Sequence, residues 1–86
     1  MEHNVYILYS SKLNKYYIGY SQDVSKRLAF HNSPLNKIWS KRGQPWELKV
    51  VLGFADKTSA LKAERYIKRK KSTSYIQQVI SSKQLF

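Results

Sequence analysis

The sequence has no cysteine, which excludes disulfides and thiolate metal sites and fits a reducing compartment. Acidic residues are also scarce, with 5 Asp and Glu against 16 Lys and Arg and a formal charge of +11. Such an imbalance repels itself in the folded state and suits a polyanionic partner, of which nucleic acid is the first candidate. No apolar run is long enough to span a bilayer, and the basic residues are not gathered on one face of a Trp- or Leu-rich amphipathic helix, so no membrane role is expected. The N-terminus has no Lys/Arg-led apolar stretch with a small-residue cleavage site, and cytoplasmic residence is the expectation. Repeats, linkers and low-complexity segments are absent, and 86 residues are expected to form one domain over residues 1–86. A domain of that size buries only about 60–65% of the surface its unfolded chain exposes, so every apolar segment is needed.

What is present reads as a mixed pattern. Asn4–Tyr9 (NVYILY) and Lys15–Tyr20 (KYYIGY) are rich in β-branched and aromatic residues and flank the turn-prone SSKLN, predicting a hairpin. Asp23 can cap a helix running to His31 or Asn32, with Val24 and Leu28 on its inner face. Ser33 to Pro45 reads as a loop with a short turn around Lys37 to Ser40. Trp46–Phe54 is a third strand, with Gly53 marking a bulge. A helix capped by Thr58 or Ser59 runs to about Lys71, and a short last helix covers Tyr75 to Ile80. The order ββαβαα predicts an α+β fold, a three-stranded antiparallel sheet flanked by helices.

Three groups of residues point to chemistry. If Tyr9 pairs with Tyr16 across the hairpin, Tyr6 faces Gly19 and Leu8 faces Tyr17. Tyr6 and Tyr17 are then diagonal neighbours on one face, about 7–8 Å apart, and Gly19 leaves open space opposite Tyr6. Arg27 and His31 lie one turn apart on one face of the first helix, where Arg can grip a phosphate with two prongs and His can pass a proton near neutral pH. In SALKAERYIKRKK, Ala60, Ala63 and Ile67 form an apolar stripe with Leu61 at its edge, and Glu64 falls inside it. A carboxylate placed there needs a partner, either a salt bridge to Arg27 or a lysine, or a hard divalent ion such as Mg2+ that keeps most of its waters.

Val5-Tyr6-Ile7, Tyr17-Ile18-Gly19, Arg27, His31-Asn32 and Glu64 within ALKAE, in that order and spacing, resemble the GIY-YIG nuclease superfamily, in particular its small stand-alone bacterial members. The resemblance spans nearly the whole chain, including Gly43 to Leu48 ahead of the third strand. It implies metal-dependent hydrolysis of DNA phosphodiester bonds, with one Mg2+ or Mn2+ ion. By position, Tyr6 and Tyr17 would position or activate the water, Arg27 would bind the scissile phosphate, His31 would aid proton movement and Glu64 would hold the metal. Two departures stand out: Asn4 and Val5 replace the glycine and isoleucine of the first motif, and the last helix lacks the asparagine that some larger members carry, with Gln77 or Gln78 nearby.

For a tyrosine base the pKa matters, since a free phenol is only about 0.1% ionised at pH 7 and needs nearby positive charge. Arg27 and the metal would supply it. DNA contacts are expected from Lys41 and Arg42 in the loop and from Lys62, Arg65 and Arg69 on the outer face of the second long helix. The other loop candidates are Asn36, Lys37, Trp39 and Gln44, too few for a long specific site. Cleavage selected by DNA shape or by a protein partner is therefore expected. The competing class is a non-catalytic basic nucleic-acid-binding module, and a third is a basic scaffold. Glu64 discriminates, because a pure binder gains nothing from a carboxylate facing its phosphates.

Overall fold

The computed structural model describes residues 2–85. Strands β1 (His3–Ser10), β2 (Lys15–Ser21) and β3 (Glu47–Phe54) form an antiparallel sheet in the order β2-β1-β3. Helices α1 (Val24–His31), α2 (Lys57–Lys70) and α3 (Thr73–Ser82) complete the expected order ββαβαα, with a turn of 3-10 helix at Trp39–Gly43.

Strand β1 lies between the other two and has packed side chains over both of its faces, which explains why Val5, Tyr6, Ile7 and Leu8 are all buried in an unbroken run. One face carries Val5, Ile7, Ile18, Val50 and Leu52 beneath Ala60, Ala63 and Ile67 of α2 and Ile76 and Val79 of α3. The other carries Tyr6, Leu8 and Trp46, packed with Tyr17 and with Val24 and Leu28 of α1. Burying each large aliphatic side chain stabilises the fold by roughly 1.5–3 kcal/mol, and this chain has few to spare.

The hairpin register is the expected one, with Tyr9 opposite Tyr16, Leu8 opposite Tyr17 and Tyr6 opposite Gly19. Asp23 caps α1 by accepting from the Lys26 amide. Elsewhere the boundaries move. The bulge falls at Lys49 rather than Gly53: Ile7 pairs with Val50 and Leu8 with Leu48, leaving Lys49 extra, whereas Gly53 sits in regular pairing with Asn4. Slipping at Lys49 exposes only a lysine, and it keeps Val50 and Leu52 turned toward α2 and α3. Helix α2 is capped by Asp56, not Thr58 or Ser59, because the Asp56 carboxylate accepts from both the amide and the hydroxyl of Ser59. Trp46 precedes β3 and is buried. The short turn expected at Lys37 to Ser40 forms two residues later, and α3 begins at Thr73 with Ser72 as its cap and extends to Ser82.

Candidate active site

The sheet face covered by α1 brings Tyr6, Tyr17, Arg27 and His31 together. Tyr6 and Tyr17 stack with ring centroids 6.2 Å apart, and the Tyr17 ring lies 4.5 Å from that of His31. The Tyr6 hydroxyl meets His31 Nε2 at 3.1 Å, and the Arg27 side chain is near enough to act on the same phenol. The space expected opposite Tyr6 is filled by Tyr6 itself: its ring lies across Gly19, where a Cβ would run into the hydroxyl and Cζ. Glycine at this position is therefore a condition for Tyr6's placement.

Burial dominates the electrostatics. Desolvation pushes the Tyr6 phenol up to about 12, against the opposing hydrogen bond and charge of Arg27, with Tyr17 and Glu64 adding to the rise. Desolvation likewise lowers His31 to about 4, with a further push from the Arg27 charge. His31 is therefore a neutral imidazole at physiological pH, not a cation. The positive charge that the sequence suggested for activating Tyr6 is present in Arg27, but burial outweighs it.

Glu64 lies at the edge of the α2 stripe with its side chain 17% exposed, paired with Lys68 Nζ at 3.2 Å. A lysine partner was one of the two expectations for it. With Lys68 half exposed, this i,i+4 pair contributes at most about 0.3–0.5 kcal/mol and is easily given up. Among the described residues no three His, Cys, Asp or Glu side chains cluster as a metal cage. A single accessible carboxylate fits a hard ion that retains its waters and takes further oxygens from a phosphate, and it does not fit zinc.

Lys41, Arg42, Lys62, Arg65 and Arg69 are all exposed. The two groups are placed differently. Lys41 and Arg42 lie in the 3-10 turn that follows half-exposed Trp39, whose ring is 5.7 Å from that of Tyr17. Lys62, Arg65 and Arg69 point roughly 100–160° around the helix from Glu64, on the outer side of α2. Lys57 and Lys68 are the α2 cations on Glu64's own side, and Lys68, Lys15 and Lys71, the residue that ends α2, line a depression between β2, α2 and α3. Gln77 and Gln78 are exposed on α3 and face away from the core residues Ile76 and Val79.

Sequence reading missed the residues that hold His31 in place. Asn36 and Gln44, offered above as loop contacts, turn inward: Asn36 Nδ2 donates to His31 O at 3.2 Å, and Gln44 Nε2 donates to the same oxygen at 2.8 Å. They satisfy a carbonyl that the end of α1 leaves unpaired. Asn32 brackets the Trp46 backbone, donating to its carbonyl at 3.0 Å and accepting from its amide at 2.6 Å. Trp46 Nε1 in turn donates to Ser40 O at 2.6 Å. The one local signal was an unusual density of Asn, Ser and Gln in a loop whose backbone has few partners of its own.

The chain is 39% identical to a UPF0213 protein of Streptococcus pneumoniae serotype 4 (strain ATCC BAA-334 / TIGR4), over 83% of this chain and 73% of the relative. It is 36% identical to the UPF0213 protein YazA of Bacillus subtilis (strain 168), over 98% and 90%. A 42% identity covers 72% of this chain but only 13% of "Structure-specific endonuclease subunit SLX1 homolog 1" of Trypanosoma cruzi (strain CL Brener). No solved structure gives a significant match. The profile of the GIY-YIG catalytic domain matches residues 2–77, a span that takes in both sheet faces and every side chain around Tyr6, and the chain belongs to the GIY-YIG family.

Proposed function

We propose that this protein is a divalent-metal-dependent DNA endonuclease whose site is Tyr6, Tyr17, Arg27, His31 and Glu64. The observation that carries this reading is the buried Tyr6 hydroxyl, 3.1 Å from His31 Nε2 and with its ring stacked on Tyr17, where the charges of both Arg27 and Glu64 act on it. Arg27 holds the scissile phosphate and offsets its growing charge. Tyr6, braced by the Tyr17 ring, orients the attacking water and takes its proton while a P–O ester bond breaks. His31, neutral and buried, fixes the Tyr6 oxygen. Glu64 would hold Mg2+ or Mn2+, which supplies positive charge for the leaving oxygen.

DNA approaches over Lys41, Arg42 and Trp39 on one side of the site, while Lys62, Arg65 and Arg69 engage more distant phosphates. Selection by DNA shape or by a protein partner is favoured over base reading, because the helices are committed to packing and two of the loop's polar residues face inward. The relative named as a structure-specific endonuclease subunit agrees with that preference. Residence in the cytoplasm fits the cysteine-free composition. No helix among the described residues is long and apolar enough to cross a membrane.

The test incubates the pure protein with branched, nicked and linear DNA and Mg2+ or Mn2+, comparing wild type with Glu64→Ala. The variant is expected to lose cleavage while keeping or tightening DNA binding, since it removes a negative charge from a cationic surface. Binding without metal-dependent cleavage on any substrate would return the protein to the non-catalytic class.

A further inference from the structure

Among the described residues, Leu35, Ile38, Trp39, Leu48 and Val51 are the large apolar side chains that stay exposed, and the first three lie within one short stretch of loop. Leu35 is 81% exposed and Trp39 52%. A small domain has little apolar surface to leave in water, so a gathered patch of this kind marks a contact site. Ile38 and Trp39 line a surface depression together with Lys37, Lys41 and Arg42. Those three cations are exposed, and no Asp or Glu lines the depression with them. An apolar floor with cations and no carboxylate suits a ligand that is flat and apolar in one part and anionic in another.

The patch is held in place beside the site. Trp39 precedes Ser40, whose hydroxyl meets His31 Nδ1 at 2.9 Å and whose carbonyl accepts from Trp46 Nε1 at 2.6 Å. The Trp39 ring lies tilted against Tyr17 at 5.7 Å and meets Trp46 edge-on at 6.0 Å. Packing does not account for its size: Trp46 is buried and hydrogen-bonded to the loop, whereas Trp39 keeps half of its surface in solvent. Asn36, the one amide lining the depression, is buried, and its side chain is committed to the Ile38 amide, the His31 carbonyl and Ser40 Oγ. It is not available to read the edge of a base.

We propose that Trp39, with Ile38 beside it, is a stacking platform for one unpaired nucleobase of the DNA strand, and that Lys37, Lys41 and Arg42 hold the phosphates flanking that base. A base inside a continuous duplex has both faces covered by its neighbours, so only a flap, a branch or a single-stranded end can offer one. Every base has a π-face, and the one amide that could read its edge is turned inward, so the platform tolerates any base identity. Contact with Tyr17 sets the unpaired nucleotide beside the tyrosine pair. The link to cleavage rests on the nuclease reading above, whereas binding of the base rests on the loop alone.

Binding is measured without metal, so that no strand is cut, on a forked DNA, on a continuous duplex and on the same fork with abasic sites in its unpaired arm. Wild type is expected to prefer the intact fork. Trp39→Ala should weaken fork binding by roughly tenfold, the loss of one stacked base, and leave duplex binding unchanged. The abasic fork should bind wild type as weakly as the intact fork binds Trp39→Ala, and the two changes together should cost no more than either one. Trp39→Phe should keep fork affinity within about threefold of wild type. The fork should quench tryptophan emission in wild type and not in Trp39→Phe, where Trp46 is the one tryptophan left. Equal losses on fork and duplex, or an abasic fork bound as tightly as the intact one, overturn the proposal and return Trp39 to packing or to a protein partner. Should Trp39→Ala fail to fold, the abasic fork and the emission of Trp39→Phe decide. A protein that binds forks through Trp39 yet cuts nothing once Mg2+ or Mn2+ is added would overturn the nuclease reading and leave the platform standing. One that cuts, while its Trp39→Ala variant binds forks like wild type, would do the reverse.

Discussion

At the residue scale, the site depends on one side chain that the fold buries at a cost. Tyr6 is raised to about 12 by desolvation, so its ionised fraction at neutral pH is far below that of a free phenol. If Tyr6 must lose its proton for the water to be activated, log cleavage rate should rise by about one per pH unit between pH 6.5 and 9. A flat profile over that range would remove Tyr6 as the base. Gly19→Ala places a methyl group against the Tyr6 hydroxyl and ring. This variant should lose about 1–3 kcal/mol in denaturant melts, and most of its cleavage, because Tyr6 must swing away. Arg27→Lys should cleave at least tenfold more slowly than wild type, since an ammonium cannot reproduce the two-pronged grip on a phosphate that the proposed role requires. Wild-type rates in that variant would reduce Arg27 to a source of charge.

Among the elements, α2 would serve the proposed function on two sides. Its stripe of Ala60, Ala63 and Ile67 anchors it to the sheet, which puts Glu64 and Lys68 at one margin and Lys62, Arg65 and Arg69 outside. If Glu64 holds the metal as proposed, Lys68 competes with that cation for its carboxylate. Lys68→Met should lower the Mg2+ or Mn2+ concentration needed for half-maximal cleavage by about two- to threefold, in line with a weak exposed pair. Replacing Lys62, Arg65 and Arg69 together by glutamine should instead weaken DNA binding and flatten its salt dependence, with the metal requirement unchanged. The expected change in slope is about 0.9 for each phosphate that the variant no longer neutralises, measured by titration at several salt concentrations.

For the molecule as a whole, two buried groups bound the pH range of stability. His31 ionises near 4 when folded and near 6.5 when unfolded, so the unfolded chain binds more protons between those values. Stability should be complete above about 6.5 and decline by up to roughly 3 kcal/mol as pH falls toward 4. Tyr6 acts in the opposite sense: its folded value of about 12 lies above the unfolded 10, so stability should fall as pH rises from 10 to 12. Urea melts between pH 4 and 11 should give a plateau between these limits. In His31→Gln the acid limb should flatten. An unchanged acid limb would assign that loss to other groups.

The sequence by itself determined the hairpin register, the caps and inner face of α1, the stripe of α2 and the one-face pairing of Tyr6 with Tyr17. Each of these depends on local chemistry: alternation along a strand, a three-to-four spacing along a helix, or a capping carboxylate beside an apolar run. Where local rules offered several candidates the reading missed, as with Asp56 two and three residues ahead of the expected caps, and with a bulge assigned to Gly53 because glycine is the usual marker. Only the tertiary structure decided that β3 pairs with β1 and makes it the central strand, since sheet order is set by which faces α1 and α2 must cover. Only there does Gly19 become the floor beneath Tyr6, and only there do Asn36, Ser40 and Gln44 stop being loop residues and become the partners of His31. Their identity as polar residues is written in the chain, but the direction each one faces is fixed by the unpaired carbonyl at the end of α1 and by the enclosure of the Tyr6 pocket, both products of packing.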